Sequence, residues 1–185
     1  MTKAMRRQVL FIQGGGEGAH DEWDNSLVEG LRRELGDGYE VRYPRMPDEA
    51  DPKYVTWASA IEEEMSALDD GAIIVGHSIG GTVLINYLAT RTRKKLGAVV
   101  LLAAPYIGKG GWPSEEIEGD RELGKSLPSE LPIHLFHGDD DETAPEKHVD
   151  LYAKAIPQAV VHRVNGDHQL NNDMTEVARH IRALG

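Results

Sequence analysis

Cysteine is absent from this chain of 185 residues. The absence excludes a disulfide framework, a thiolate nucleophile and a cysteine-based zinc site. It fits a reducing compartment, and we therefore expect a cytoplasmic protein.

Two further features are scarce, namely positive charge and long apolar runs. The formal net charge is −11 at pH 7, and no stripe of Lys and Arg offsets it, which argues against a nucleic-acid partner. The short basic stretch 91–95 lies where a helix is expected to end, and cations at that end interact favourably with the helix dipole.

The basic start, 1–7, is followed by an apolar run of only 9–12, too short for a signal peptide or a membrane span. We expect no membrane partner.

The sequence contains an alternation of short apolar runs and amphipathic helical patterns. The runs predict six strands, at 8–12, 39–43, 73–75, 97–103, 133–137 and 160–164, of which 8–12 and 73–75 read as buried. Helical spacing predicts helices over 24–35, 54–68, 83–88, 146–156 and 175–184, the first with Asp24 or Asn25 as its N-cap. This alternation predicts an α/β fold, with a doubly wound, mainly parallel sheet and helices on both faces. Residues 1–185 suit one domain.

One predicted strand runs directly into a helix through Gly76-His77-Ser78-Ile79-Gly80. In this strand–turn–helix context G-x-S-x-G forms a nucleophile elbow, because the glycines leave room for a sharp turn that side chains would crowd. The turn holds the Ser78 hydroxyl clear of the backbone at the carboxyl end of the strand. We therefore predict Ser78 as a nucleophile. The pentapeptide alone also occurs in ordinary turns, so its meaning depends on partner residues.

A serine hydroxyl is a weak nucleophile at neutral pH and needs a base, which in turn needs an orienting acid. In this architecture the three residues follow one another along the chain in the order Ser, acid, His. Of the eight histidines, His168 alone lies in a loop after the last strand with a closing helix behind it, and we predict it as the base. The others are expected within strands (His134, His137, His162), on a helix surface (His148), or next to the nucleophile but pointing away from it (His77). The acid is one of the contiguous Asp139, Asp140 and Asp141, and spacing does not choose among them.

Three motifs together resemble the serine hydrolases of α/β-hydrolase fold. Residues 75–81 resemble the family's elbow, 137–145 its H-G-x-x-D-x-x-V-P segment, and 166–168 the G-x-H after its last strand. The resemblance implies that Asp141 is the acid and His168 the base; Ala144 departs mildly from the usual Val. It also implies acyl transfer from a small-molecule acyl substrate, without a metal or an organic cofactor.

The same resemblance implies an oxyanion hole formed by two backbone N–H groups. One comes from the residue after the nucleophile, here Ile79. In relatives the other comes from the residue after a His-Gly pair that ends the first shared strand. Here that pair is Gln13-Gly14, so the donor maps to Gly15, with Gly16 as an alternative. The Gln in place of His leaves open what supports this loop.

The predicted architecture is a minimal version of the fold. The usual N-terminal hairpin is absent because the first strand starts at residue 8, and the aperiodic stretch 106–132 is long enough for a flap or short helix but not for a cap domain. The chain is most similar to the compact, lidless serine hydrolases related to the retinoblastoma-binding protein 9 group, which implies an open pocket and small substrates. Four side chains near strand ends either line that pocket or anchor their loops: Trp23, Met46, Tyr106 and Trp112.

Two rival interpretations remain. Gly14, Gly16 and Ala19 match the G-x-G-x-x-G/A dinucleotide fingerprint. That motif should open a helix directly, whereas helical spacing starts only after Trp23, and it leaves the three hydrolase motifs unexplained. The other rival is a non-catalytic interaction module that retains the hydrolase frame. The sequence does not choose among ester, thioester, lactone and amide substrates, and it does not indicate an oligomeric state.

Overall fold

The computed structural model describes residues 5–91 and 94–185. Its strands, numbered along the chain, are β1 (Arg7–Ile12), β2 (Tyr39–Arg42), β3 (Ile73–His77), β4 (Ala98–Leu102), β5 (Ile133–Gly138) and β6 (Val160–Val164). They form one sheet in the order β2-β1-β3-β4-β5-β6, and every neighbouring pair is parallel. The predicted α/β fold with six strands is confirmed, and the sheet is parallel throughout.

Helices connect these parallel strands and cover both faces of the sheet. They are α1 (Asp24–Leu35), α2 (Tyr54–Ser66), α3 (Ile79–Arg91), α4 (Leu123–Ser126), α5 (Lys147–Ala155) and α6 (Thr175–Ala183). Helix α3 ends at Arg91, within the predicted basic stretch, whereas residues 92 and 93 of that stretch lie outside the described residues, as do residues 1–4 of the basic start. In the described part of the chain, no helix has the length and apolarity that a bilayer span requires.

Two apolar cores lie on opposite faces of the sheet because successive side chains of a strand alternate between the faces. On β1, Leu10 and Ile12 belong to the core beneath α2, α3 and α5, whereas Val9 and Phe11 belong to the core beneath α1 and α6. All four side chains are fully buried. Burial on both faces explains why the central strands read as nearly continuous apolar runs, whereas the edge strands β2 and β6 are partly exposed.

The first helical segment begins earlier than the spacing predicts. A π-helical turn, Ala19–Trp23, runs directly into α1. Asp24 is therefore helical and buried, and the helix has no side-chain N-cap. The prediction of Asp24 or Asn25 as the N-cap is wrong, because the Asp24 carboxylate accepts the backbone N–H of Gly14 at 2.6 Å instead.

The stretch between β4 and β5 forms loops and the four-residue α4. Buried apolar side chains anchor it to the body of the protein: Tyr106, Ile107, Ile117, Leu123, Leu127 and Leu131. This stretch also covers one side of α5, so His148 is 1% exposed and its Nδ1 accepts the backbone N–H of Tyr106 at 2.8 Å. The predicted surface position of His148 is therefore wrong. Among the described residues no strand precedes β1, and 106–132 forms no cap domain, as predicted.

Candidate active site

Ser78 lies in the tight turn between β3 and α3, with φ of +52°. This left-handed conformation is strained for a residue with a side chain, and surrounding contacts must hold it. The Ser78 N–H donates to the carbonyl of Leu102 on β4 at 2.8 Å. Its carbonyl accepts the N–H groups of Gly81 and Thr82 at 2.9 and 3.2 Å, which starts α3. Backbone hydrogen bonds on both sides therefore fix the serine.

The turn also depends on glycines that leave space for neighbouring backbone. A Cβ atom on Gly76 would lie 2.6 Å from the Cα of Gly81, and one on Gly80 would overlap the carbonyl oxygen of Gln13. Strand β3, helix α3 and the end of β1 therefore approach one another as closely as their backbones allow.

A continuous chain of hydrogen bonds connects the three residues predicted as nucleophile, base and acid. Ser78 Oγ lies 2.8 Å from His168 Nε2, and His168 Nδ1 lies 2.8 Å from Asp141 Oδ2. These residues follow β3, β6 and β5, whose carboxyl ends share one edge of the sheet. When the Nδ1–H of His168 donates to the carboxylate, its Nε2 is left to accept the serine proton.

Asp141 makes further contacts in addition to its hydrogen bond with His168. Its Oδ1 accepts the backbone N–H groups of Thr143 and Ala144 at 2.9 and 2.8 Å. Its Oδ2 lies 3.3 Å from Nε2 of the buried His137. Burial raises the pKa of Asp141, but hydrogen bonds from His137, His168 and Ala144 outweigh burial and bring the pKa below its ordinary value. The carboxylate is therefore ionised at neutral pH.

The predicted oxyanion donors are the backbone N–H groups of Gly15 and Ile79. Gly15 and Ile79 line the same cavity as Ser78, and within residues 5–91 and 94–185 neither N–H has a protein acceptor. The N–H of Gly16, the predicted alternative donor, instead donates to the carbonyl of Glu49 at 2.7 Å. Unpaired donors aimed at the reacting carbonyl are what an oxyanion hole requires.

Gln13 is buried and supports the glycine loop. Its Oε1 accepts the N–H of Met46 at 2.7 Å, and its Nε2 donates to Gly14 O at 3.1 Å and Glu49 Oε2 at 2.7 Å. The side chain thus bridges the first loop and the loop after β2. Met46 itself is 1% exposed and belongs to the core. It does not line the cavity, because this bridge holds its backbone against Gln13.

A carboxylate of the protein itself already occupies the helix N-terminus that follows the dinucleotide-like glycine motif. The carboxylate of Glu49 accepts the N–H groups of Gly18 and His20, each at 3.0 Å. Since helical backbone begins at Ala19, the prediction that the helix starts only after Trp23 is wrong. A pyrophosphate would nevertheless have to displace Glu49 from the N–H groups that would bind it.

Sequence reasoning missed a buried pair formed by Asp24 and His77. Asp24 Oδ2 lies 2.9 Å from His77 Nδ1, and His77 Nε2 lies 2.9 Å from the carbonyl of His168. Asp24 Oδ2 and the His168 carbonyl are both acceptors, so the His77 ring is an imidazolium that donates from both nitrogens. Burial lowers the pKa of His77, but the Asp24 charge and the hydrogen bonds to Asp24 and the His168 carbonyl together raise it above the ordinary value. The pair ties the glycine loop to the backbone of His168.

Breaking this pair should destabilise the fold. In Asp24→Ala the cation of His77 loses its buried partner, and we expect the free energy of unfolding to fall by about 3–5 kcal/mol. Urea denaturation measures the change. The control is Asp21→Ala, which removes an exposed carboxylate paired with Arg45 and should change stability little. Equal stability of the two variants would contradict a structural role for the pair.

A cavity of about 310 Å³ lies beside the Ser78 hydroxyl. Its lining residues come from the loops at the carboxyl edge of the sheet and from α1 and α3: Gly14, Gly15, Ala19, Trp23, Asp24, Pro52, His77, Ser78, Ile79, Trp112, Thr143, His168 and Gln169. A second cavity of about 280 Å³ shares Pro52, Ile79 and Trp112 with the first. A larger depression of about 760 Å³ between α2 and α3 has no histidine among its described lining residues, so volume alone does not mark the reactive site.

The four aromatic and sulfur side chains predicted near the pocket divide into two pairs. Trp23 and Trp112 line the cavity, and Trp23 is 59% exposed. Tyr106 and Met46 do not line it. Tyr106 is buried because its ring packs edge-on against Tyr152, with 5.2 Å between ring centroids, so it anchors its loop instead.

Comparison with known proteins places these observations in context. The family model described as serine hydrolase matches residues 10–175. A sequence search of curated proteins finds no match.

Solved structures with the same fold include a Rhodococcus esterase, with a TM-score of 0.73 and 17% identity over 98% of this chain and 90% of the other. A predicted hydrolase from Thermoplasma acidophilum gives a TM-score of 0.71 and 17% identity, over 99% and 89%. A monoacylglycerol lipase from Paleococcus ferrophilus gives 0.68 and 15%, over 96% and 93%. At such identities the likeness shows the α/β-hydrolase fold alone, and similarity to the retinoblastoma-binding protein 9 group stays a prediction.

Proposed function

The chain belongs to the serine hydrolase family, and on that premise we propose that it is an esterase with a Ser78-Asp141-His168 triad and an acyl-enzyme intermediate. The observation that carries the proposal is the chain of two hydrogen bonds, each 2.8 Å, from Ser78 Oγ through the His168 ring to Asp141. Nucleophile, base and orienting acid in this order are the arrangement that activates a serine hydroxyl.

The first half of the reaction acylates the serine. His168 Nε2 takes the proton from Ser78 Oγ while the oxygen attacks the carbonyl carbon of the ester. Negative charge then develops on the carbonyl oxygen, and the N–H groups of Gly15 and Ile79 stabilise it. His168 passes its proton to the departing alcohol, and the acyl group stays on Ser78.

The second half releases the acid. His168 removes a proton from a water molecule, whose oxygen attacks the acyl carbon and forms a second tetrahedral intermediate in the same oxyanion hole. When the intermediate collapses, Ser78 regains its proton from His168. Asp141 stays ionised throughout, because it stabilises the imidazolium that forms in each half without accepting its proton.

The size of the cavity favours small acyl groups. At about 310 Å³ it lies at the lower end of the roughly 300–1,000 Å³ that small-molecule pockets span. Trp23 and Trp112 give the cavity apolar walls that suit a short alkyl or aryl acyl chain. The net charge of −11 favours a neutral ester over an anionic substrate such as nucleic acid. We propose a carboxylesterase of small neutral esters, although thioesters, lactones and amides use the same machinery.

Covalent labelling and a substrate panel test the proposal. A fluorophosphonate probe should add once per folded chain, with the adduct on Ser78 in a peptide digest, and heat-denatured protein should stay unlabelled. Nitrophenyl esters from acetate to laurate should react fastest at the short end. A folded protein that takes no label would favour the non-catalytic interaction module. Labelling without turnover of any ester, but with turnover of a thioester, lactone or amide, would refute the esterase assignment.

A further inference from the structure

Three histidines that the proposed reaction does not use lie together on the face of the sheet covered by α6. His134 is on β5, His162 on β6 and His180 on α6, and one ring nitrogen of each lies within 4.8 Å of the other two. His134 Nδ1 is 2.8 Å from His162 Nε2, and the ring centroids of His162 and His180 are 4.1 Å apart. All three side chains are partly exposed, so an ion could enter from solvent.

We propose that these three imidazoles bind one Zn²⁺ ion, with water as the fourth ligand. Zinc–nitrogen bonds of about 2.0–2.1 Å in a tetrahedron place the ligand nitrogens about 3.3 Å apart. The nitrogen separations here, 2.8 Å for one pair and up to 4.8 Å for the group, bracket that value. One of the two facing nitrogens of His134 and His162 must now carry a proton between them, and for both nitrogens to bind zinc that ring would carry its proton on its far nitrogen instead.

The chemistry of the ligand set favours zinc over the common hard cations. Imidazole nitrogen suits zinc, copper and nickel, whereas Mg²⁺ and Ca²⁺ take oxygen ligands.

The guanidinium group of Arg179 lies next to the histidine cluster. Arg179 Nη2 lies 3.1 Å from His180 Nε2 and 2.6 Å from Glu176 Oε2. This contact must open before the His180 ring can bind zinc, because zinc would displace Arg179 from Nε2 or, if it bound at Nδ1, the ring proton would lie on Nε2. Glu176 lies one helical turn before His180, 3.9 Å from its Nε2, and partly balances the added charge of the ion.

The site would act on stability rather than on the reaction itself. Its ligands come from β5, β6 and α6, and Asp141 follows the far end of β5 while His168 lies between β6 and α6. An ion bound to all three elements would hold together the frame from which both triad partners extend. Because the unfolded chain does not present the three rings together, zinc should stabilise the folded state.

Titration of the tag-free, EDTA-treated full chain with zinc chloride tests the proposal. Isothermal titration calorimetry should give one equivalent of bound zinc, and magnesium chloride should give no binding. Even loss of a residue that only supports a ligand weakens metal binding about 10–100-fold, so His162→Gln and His180→Gln should each weaken it by at least about a hundredfold. His20→Gln, which alters a half-buried histidine outside the cluster, is the matched control and should bind as the wild type does.

Thermal unfolding gives a second readout. Zinc at about one hundred times its dissociation constant should raise Tm by about 5–10 °C in a chain of this length, and this rise should vanish in His180→Gln. The proposal is overturned if the wild type binds no stoichiometric zinc, if both cluster variants bind zinc like the wild type, or if His20→Gln loses binding equally. Should both variants fail to fold, the wild type with Co²⁺ decides: absence of the visible absorption of tetrahedral cobalt refutes the site.

Discussion

Replacing Ser78 with alanine should lower kcat/KM for a short-chain nitrophenyl ester by at least about a thousandfold, the scale expected for loss of a triad member. The variant retains the cavity and both oxyanion donors but has no oxygen to form the acyl-enzyme. The effect should therefore fall on kcat, with KM changing little. Steady-state kinetics with purified protein measures both constants.

The matched control is Ser59→Ala, which removes an exposed hydroxyl on α2 that donates to the Val55 carbonyl. Its rate should equal that of the wild type. Because position 78 has a left-handed backbone, circular dichroism and Tm must show that Ser78→Ala is folded. A folded Ser78→Ala that hydrolyses the ester at the wild-type rate would refute the acyl-enzyme mechanism.

Changing Asp141 to asparagine should lower kcat by about 10³–10⁴-fold. The asparagine carbonyl can still accept the N–H groups of Thr143 and Ala144, so the loop keeps its shape. The amide nitrogen that faces His168 Nδ1 is a donor, however, and cannot accept the ring proton. His168 would then carry its proton on Nε2, the nitrogen that must accept from Ser78.

Asp139→Asn provides the comparison within the same loop. Asp139 is exposed, and its Oδ1 accepts the Gly166 N–H at 3.0 Å, a bond that the asparagine carbonyl can also make. Activity should therefore change by only a small factor. If Asp139→Asn proves the more damaging of the two, the acid is Asp139 and the assignment of Asp141 is wrong.

The fold could be predicted from the sequence because its main signals are local. Strands buried on both faces read as apolar runs, and the helices expected between most successive strands require parallel crossovers. The end of each strand then indicates the edge where polar side chains gather, and Ser78, Asp141 and His168 follow three such ends. Both the parallel strand direction and the site edge therefore follow from short-range patterns.

The parts that sequence did not predict depend on contacts between distant residues. Asp24 has the pattern of a helix cap, but its ring partner, His77, lies 53 positions away. His148 has the spacing of a surface residue, but Tyr106, 42 positions away, covers it. The histidine cluster depends on the register of β5 and β6, which pairs Phe136 with His162 and brings His134 beside it. No local pattern carries that information.

The glycines of the elbow have a consequence for how activity could be lost in evolution. Gly76, Gly80 and Gly81 are required by backbone contacts among β1, β3 and α3, whether or not Ser78 reacts with anything. A descendant that no longer hydrolysed a substrate would keep these glycines, because replacing them would disrupt the core of the sheet. In distant homologues the glycines of G-x-S-x-G therefore report an intact frame, and the counterparts of Ser78 and His168 would be the first positions to drift once catalysis was no longer selected.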